Sequence, residues 1–366
     1  MITAFFVISL YGEGYTSSTL AYVGALALLP FLLFSTPGGI LADRYSKTKI
    51  TQATRIASFI IVLLGTLFFF LQSISGTYLC LFLLSAVEAL FGPSKYGILP
   101  EIYPPEKILY ANSVIASFTF FGILIGTALA SFFITFSWAF LTLTLLALLQ
   151  LVLSFFLPTT TPLLVQKKEI FHYQELWLSL KEMKAIEALL PSTLAFAYFL
   201  FIGAFLQLNM IPFSLETLNI SMQDGGYLFL LSSIGMGLGS FFSHRFSKEK
   251  IPLTTTPFLG WGISLSLLGL VLFPKPLFLT IFWLFALGIL GGLFLVPLEA
   301  YILIASPAPT RGRNFSTANF LSFLFAVLGA VALYLLNDLL GLSARLSFLL
   351  IAAVNALFML FFRRSL

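Results

Sequence analysis

Gly39-Ile40-Leu41-Ala42-Asp43-Arg44-Tyr45-Ser46-Lys47-Thr48-Lys49-Ile50 and Ser240-Phe241-Phe242-Ser243-His244-Arg245-Phe246-Ser247-Lys248-Glu249-Lys250-Ile251 are two copies of one polar connection, 201 positions apart. Arginine, an aromatic residue, serine, two lysines and isoleucine recur in the same order. Each copy stands between two long apolar runs. Weaker echoes lie at slightly larger offsets: Leu90-Phe91 with Pro93 resembles Leu293-Phe294 with Pro297, and Ala111-Asn112 resembles Ala318-Asn319. A repeat of this length means that the chain is two related halves.

The medium is set by composition. Of 366 residues, 59% are hydrophobic and only 9% charged, and 43 are phenylalanine. A soluble domain carries about 25% charged residues, so this surface is built for lipid. That excludes a soluble enzyme, a nucleic-acid module and a disordered chain. The apolar runs are about 20 residues long and do not alternate, which fits spanning helices and not the strands of a β-barrel. Complete spans are predicted at 21–42, 53–72, 78–98, 113–134, 136–157, 193–213, 226–243, 255–273, 277–304, 316–336 and 341–362, with a stub at 1–11 as a shortened first helix. The fold class is therefore all-α and membrane-embedded.

The longest polar stretch, 158–190, divides the chain. The predicted organisation is an N-terminal helical half over 1–158, a central loop over 159–190, and a C-terminal helical half over 191–366. Within the loop, Ile170, Phe171, Leu176, Trp177, Leu178 and Leu180 predict a short amphipathic helix on the membrane surface. Of 19 basic residues, all but Lys275 and Arg345 fall on one side if the stub counts as a span. The positive-inside rule then puts both termini and the central loop in the cytoplasm. Parallel six-helix halves around a central loop are a transporter plan, with the substrate site between the halves.

The first copy, Gly-x-Leu-Ala-Asp-Arg-x-Ser-Lys-x-Lys, resembles the cytoplasmic loop motif of the major facilitator superfamily. Phe91-Gly92-Pro93-Ser94-Lys95-Tyr96-Gly97-Ile98-Leu99-Pro100-Glu101, then Ala111-Asn112-Ser113, Gly122-x-x-x-Gly126 and Gly291-Gly292-Leu293-Phe294-Leu295-Val296-Pro297-Leu298, together resemble the bacterial lysophospholipid transporter family. The same module also heads fused acyltransferase–acyl-carrier-protein synthetase proteins. The resemblance implies a major facilitator fold of two six-helix pseudo-repeats in the bacterial inner membrane. It implies inward flipping of lysophospholipids such as lysophosphatidylethanolamine, with a separate acyltransferase as a partner that restores the missing chain. Family members carry an acidic-Asn pair in the first helix, where this chain has Ser9, Leu10 and Tyr11 with Glu13 beyond. Against that pattern and the length a span needs, roughly 20–30 N-terminal residues are expected to be missing.

Several residues are candidates for transport. Gly39, Asp43, Arg44 and Lys47, with Arg245 and Lys248 in the second copy, form the expected gating motif. A carboxylate at a helix end can pair with a neighbouring helix's N-terminus or with an arginine, and such a pair holds one conformation and breaks in the other. Topology-setting charge is the plainer reading of the same residues. Glu88 and Glu299 lie in corresponding helices, and an acidic group within a span is costly. Each is a candidate to bind an ammonium head group or carry a proton, the alternative being a carboxylate bonded to a neighbouring helix. Lys95 is a candidate phosphate contact, or a snorkelling topology charge. Glu101 is expected to pair with Lys95 or with the Asp43–Arg44 loop. Gln207 and Asn209 would line the cavity or bond to another helix. Asn112 and Asn319 read as N-caps. Gly122 and Gly126 in one helix, and Gly235, Gly237 and Gly239 in another, are expected to allow close packing of two helices. No cofactor, metal site or nucleophile–base pair is evident, so a non-enzymatic role is expected. Two rivals stand beside the lipid reading: proton-coupled export of drugs or metabolites, and an inactive remnant or partner of an acyltransferase.

Overall fold

A computed structural model describes residues 16–132, 138–161, 174–246 and 253–365. The stub predicted at 1–11 lies outside them. Among the described residues every regular element is a helix, as lipid demands: only internally bonded backbone is tolerated there. In chain order these are α1 (Thr16–Arg44), α2 (Lys47–Phe70), α3 (Ile74–Gly97), α4 (Pro105–Phe132), α5 (Trp138–Ser154), α6 (Gln174–Ala185), α7 (Leu189–Phe213), α8 (Met222–Phe242), α9 (Thr256–Leu272), α10 (Leu277–Ala305), α11 (Arg311–Tyr334) and α12 (Ala344–Ser365).

Ten described helices are long and apolar enough to cross a membrane. The span expected at 136–157 contains α5, which has 17 described residues. Serines mark several helix starts. Ser46 accepts from the Lys49 N–H, and Ser73 from the Gly76 N–H. Ser221 accepts from the Asp224 N–H and donates to its carboxylate. Each satisfies an orphan donor of the first turn. Several starts lie earlier than hydropathy suggests, and two of them bear on asparagines expected as caps. α4 begins at Pro105 and α11 at Arg311, because proline and charged residues suit a first turn although they are not apolar. Asn112 and Asn319 are thus inside helices and do not cap them.

The described residues divide into two compact units. One comprises those in Met1–Ile102, Ile125–Lys181 and Ser306–Phe320, and the other those in Tyr103–Leu124, Glu182–Ala305 and Leu321–Leu366. Each takes one helix start from the opposite half of the sequence. In the first, α1 packs along α3, and α2 packs against α3 and α5. In the second, α8 lies along α10, α9 packs on α10 and α12, and α7 contacts α8, α10 and α12. Phe205, Phe213 and Phe348 meet edge to face at the centre of this second unit, fully buried. Other phenylalanines, such as Phe118, Phe156 and Phe361, are exposed, as a lipid-facing surface allows. The phenylalanine excess thus serves both core and lipid surface.

Candidate functional site

Asp43 closes α1 one residue before its end. Its two carboxylate oxygens accept from the backbone N–H groups of Gly312 at 2.6 Å and Arg313 at 2.8 Å. These are first-turn amides of α11, which have no partner inside their own helix. An anion there is also favoured by the helix dipole. The approach depends on glycine at both faces. A Cβ at Gly39 would lie 2.1 Å from Ser316 Oγ, and one at Gly312 would lie 2.7 Å from the Gly39 carbonyl. The expected pairing of the Asp43 carboxylate with a neighbouring helix N-terminus is the arrangement observed.

Around this contact the charges balance. Lys47, fully buried at the start of α2, pairs with Glu101. Arg311 has Glu101 and Asp43 as its electrostatic neighbours. The Arg313 guanidinium donates to Glu175 of α6 at 2.8 Å, and Ser179 Oγ donates to Asn314 Oδ1 at 2.8 Å. Three carboxylates face three cations, which limits the cost of burying them. Of the two partners expected for Glu101, the loop supplies the one found, through Lys47. Arg44 leans over the Tyr45 ring, 5.2 Å from its centroid.

A helix is present over Gln174–Ala185 within the segment expected to be amphipathic, and Ile170 and Phe171 lie outside the described residues. Glu175, Ser179 and Met183, spaced by four, are buried, whereas Trp177 and Leu178 are exposed. A glutamate on a loop helix reads as solvated until its arginine is known. Sequence reasoning therefore missed Glu175, and it took Arg311 and Arg313 only as topology charges. Their one signal was the Arg-Gly-Arg sequence at a helix start.

Glu88 sits in α3, with Arg55 of α2 at 2.8 Å. Arg55 lies two turns inside α2, which begins at Lys47. It also donates to Gln150 at 2.7 Å and covers the Phe91 ring at 3.9 Å. Arg55 is 8% exposed and Glu88 42%. Removing Glu88 leaves a buried cation, whereas removing Arg55 leaves a carboxylate with access to its surroundings. Glu88→Ala is therefore expected to lower the unfolding temperature of the purified protein more than Arg55→Leu does. The reverse order in a thermal scan would refute this account of the pair.

Glu299 lies in the other unit and is buried. Asn112 Nδ2 donates to its Oε2 at 2.9 Å and to the Val296 carbonyl at 3.2 Å. Glu88 and Glu299 are thus each engaged by a neighbouring helix, within separate units. Lys95 stands in the last turn of α3, 4.9 Å from the centroid of Tyr96, whose ring in turn meets Phe315. Gln207 is exposed and Asn209 fully buried, since two residues apart on a helix point to opposite sides. Asn209 donates to the Ala344 carbonyl at 2.9 Å and accepts from Asn337 at 3.0 Å. A second anion at a helix start occurs here: Glu216 accepts from the Ala344 N–H at the first turn of α12, at 3.0 Å.

Cβ atoms at Gly122 and Gly126 would meet nothing within 4 Å among the described residues, while one at Gly237 would touch the Phe121 ring of α4 at 3.0 Å. The tight crossing is elsewhere, between α8 and α10. Cβ atoms at Gly239 and Gly288 would lie 2.1 and 2.0 Å from the carbonyl oxygens of Ile289 and Ser232. Arg245 follows α8 and lies over the Phe242 ring. Lys248 lies outside the described residues.

The sequence pattern of the Major Facilitator Superfamily matches residues 1–260. The chain belongs to the major facilitator superfamily. No curated protein matches it in sequence. Its fold is similar to that of the human organic anion transporter TETRAN, with a TM-score of 0.80 at 16% identity, covering 97% of this chain and 87% of that one. It is similar to a bacterial homologue of the iron transporter ferroportin in the outward-facing state, with a TM-score of 0.74 at 12% identity, covering 99% and 94%. The proton:xylose symporter XylE gives a TM-score of 0.74 at 13% identity, covering 98% and 90%. These likenesses establish the fold of a major facilitator transporter. At such identities they carry no cargo across.

Proposed function

We propose that this major facilitator protein moves lysophospholipids, such as lysophosphatidylethanolamine, inward across a bacterial inner membrane by alternating access, with its termini and central loop in the cytoplasm. The Asp43 contact carries the gating part of this reading. It joins a helix end of the first sequence half to a helix start of the second, through bonds that open without any covalent change. The cargo rests on the resemblance of the Phe91–Glu101 block and its companions to the lysophospholipid transporter family. The cytoplasmic placement rests on the basic-residue asymmetry. In this reading Lys95 is a phosphate contact near the inner mouth, and a separate acyltransferase consumes the delivered lipid.

One observation favours a second reading. The Arg55–Glu88 pair places a titratable carboxylate against a cation inside two spans, as a proton-coupled carrier of drugs or metabolites would require. A single experiment separates the two. Spheroplasts lacking their own lysophospholipid transporter are given labelled lysophosphatidylethanolamine, with this chain expressed at a measured level. Uptake above the vector control is the expected result. Absence of uptake from well-folded protein, with acidification of proteoliposomes on addition of a drug panel, would replace the lipid reading with the proton-coupled one. Absence of both would leave the remnant reading.

A further inference from the structure

The close crossing of α8 and α10 leaves a cavity along its edge. Gly235, Gly239, Gly288 and Gly292 bring the two backbones into contact. The larger side chains beside them cannot enter the crossing and are pushed apart along its edge. What remains is a cavity of about 420 Å³, within the range of sites that hold one small molecule. Leu238 and Phe242 of α8 line one wall, and Phe285, Ile289 and Leu293 of α10 line the other. Phe285, Ile289 and Leu293 are four residues apart, so this wall is one stripe running about 12 Å along the helix. The lining is apolar except at one end, where Arg245 stands.

Arg245 is exposed, its guanidinium rests on the Phe242 ring 5.1 Å away, and it has no carboxylate partner among the described residues. It opens the basic run Arg245–Lys250, which includes Lys248 and Lys250. The site is thus a slot as apolar as lipid tails, ending in a lone cation on the side of the membrane that holds nearly all basic residues. A neutral apolar ligand would leave the cation unused. A soluble anion would leave the slot unused. An anionic phospholipid uses both, and juxtamembrane arginines attract such head groups.

We infer that the α8–α10 flank holds one resident anionic phospholipid of the leaflet on the basic side, with an acyl chain along Ile289 and Leu293 and its phosphate on Arg245. This lipid is not the cargo. The inference stands on the second unit alone and survives failure of the lysophospholipid reading.

The test uses the full chain, purified in detergent and equilibrated with mixed micelles containing equal phosphatidylglycerol and phosphatidylcholine. Native mass spectrometry then counts the lipids that each chain retains. One phosphatidylglycerol per chain is expected, favoured about fivefold over phosphatidylcholine, the effect of one interfacial cation. Arg245→Gln should bring the two lipids to parity, and Arg245→Lys should keep the preference. Ile289→Trp should fill the slot and lose the lipid although the arginine is intact. Because Arg245 is exposed and Ile289 is only part-buried, all three variants should elute as the unaltered protein does. Equal retention of both lipids by the unaltered chain would mean ordinary annular lipid and would overturn the inference. So would a preference that survives Arg245→Gln or Ile289→Trp.

Discussion

Asp43→Ala is expected to abolish transport while the chain stays folded in the membrane. The carboxylate is 1% exposed and accepts two backbone N–H groups of α11 at 2.6 and 2.8 Å. Hydrogen bonds to a charged group contribute about 1.5–3 kcal/mol each, and alanine removes both. The two amides remain within a closed contact, where water reaches them poorly. A loss of about 3 kcal/mol shifts the closed-to-open ratio by about two orders of magnitude. Asp43→Asn should behave similarly, because its amide turns a donor towards one of the two donors that it must face. The gate can be read directly with Ser316→Cys, made in a Cys80→Ser background. Gly39 covers Ser316 when the contact is formed, so maleimide should label this cysteine slowly. Labelling should accelerate about a hundredfold when Asp43→Ala is added. Unchanged uptake and unchanged labelling in Asp43→Ala would remove Asp43 from the gate.

Gly288→Val is expected to have the largest effect on folding itself. A Cβ at Gly288 would sit 2.0 Å from the Ser232 carbonyl oxygen and 3.0 Å from the Met236 nitrogen. Both are backbone atoms of α8, which cannot turn aside as a side chain can. The whole helix must retreat, and the contacts along the α8–α10 seam go with it. Overpacking typically costs about 1–3 kcal/mol and more where backbone must move. The monodisperse fraction after detergent extraction should collapse. Gly122→Val is the matched control, since a Cβ there meets nothing within 4 Å among the described residues. It should extract as the unaltered protein does. If Gly122→Val is the more damaging of the two, the seam has been placed on the wrong helices.

These two glycines also show how far the sequence could be read. Apolar length placed the ten described spans, because lipid imposes it residue by residue. The contact of Asp43 was legible for a similar reason: a carboxylate at the end of a span has few partners other than a helix start or a cation. Gly122-x-x-x-Gly126 has the spacing of a packing motif, but spacing does not name a neighbour. Gly235 and Gly239 were packing candidates, but that they pack on α10, through Gly288, is found only by seeing which backbone approaches them. Glu175 was unreadable for a like reason. Its burial is acceptable only because Arg313 lies across from it, 138 residues along the chain. Arg55 falls within the span expected at 53–72, but the carboxylate that makes its burial acceptable lies on another helix. Paired with Glu88 and shielded by Phe91, the arginine belongs inside.

Residues 103–124 group with the second unit and residues 306–320 with the first. Neither half of the gene therefore encodes a finished body. A protein cut in its central loop would yield two fragments, each lacking a helix start that its own packing requires. The same reciprocity bears on descent by duplication. A single ancestral repeat would have met this need by trading helix starts with an identical copy, so mutual exchange would precede the joining of the two copies into one chain.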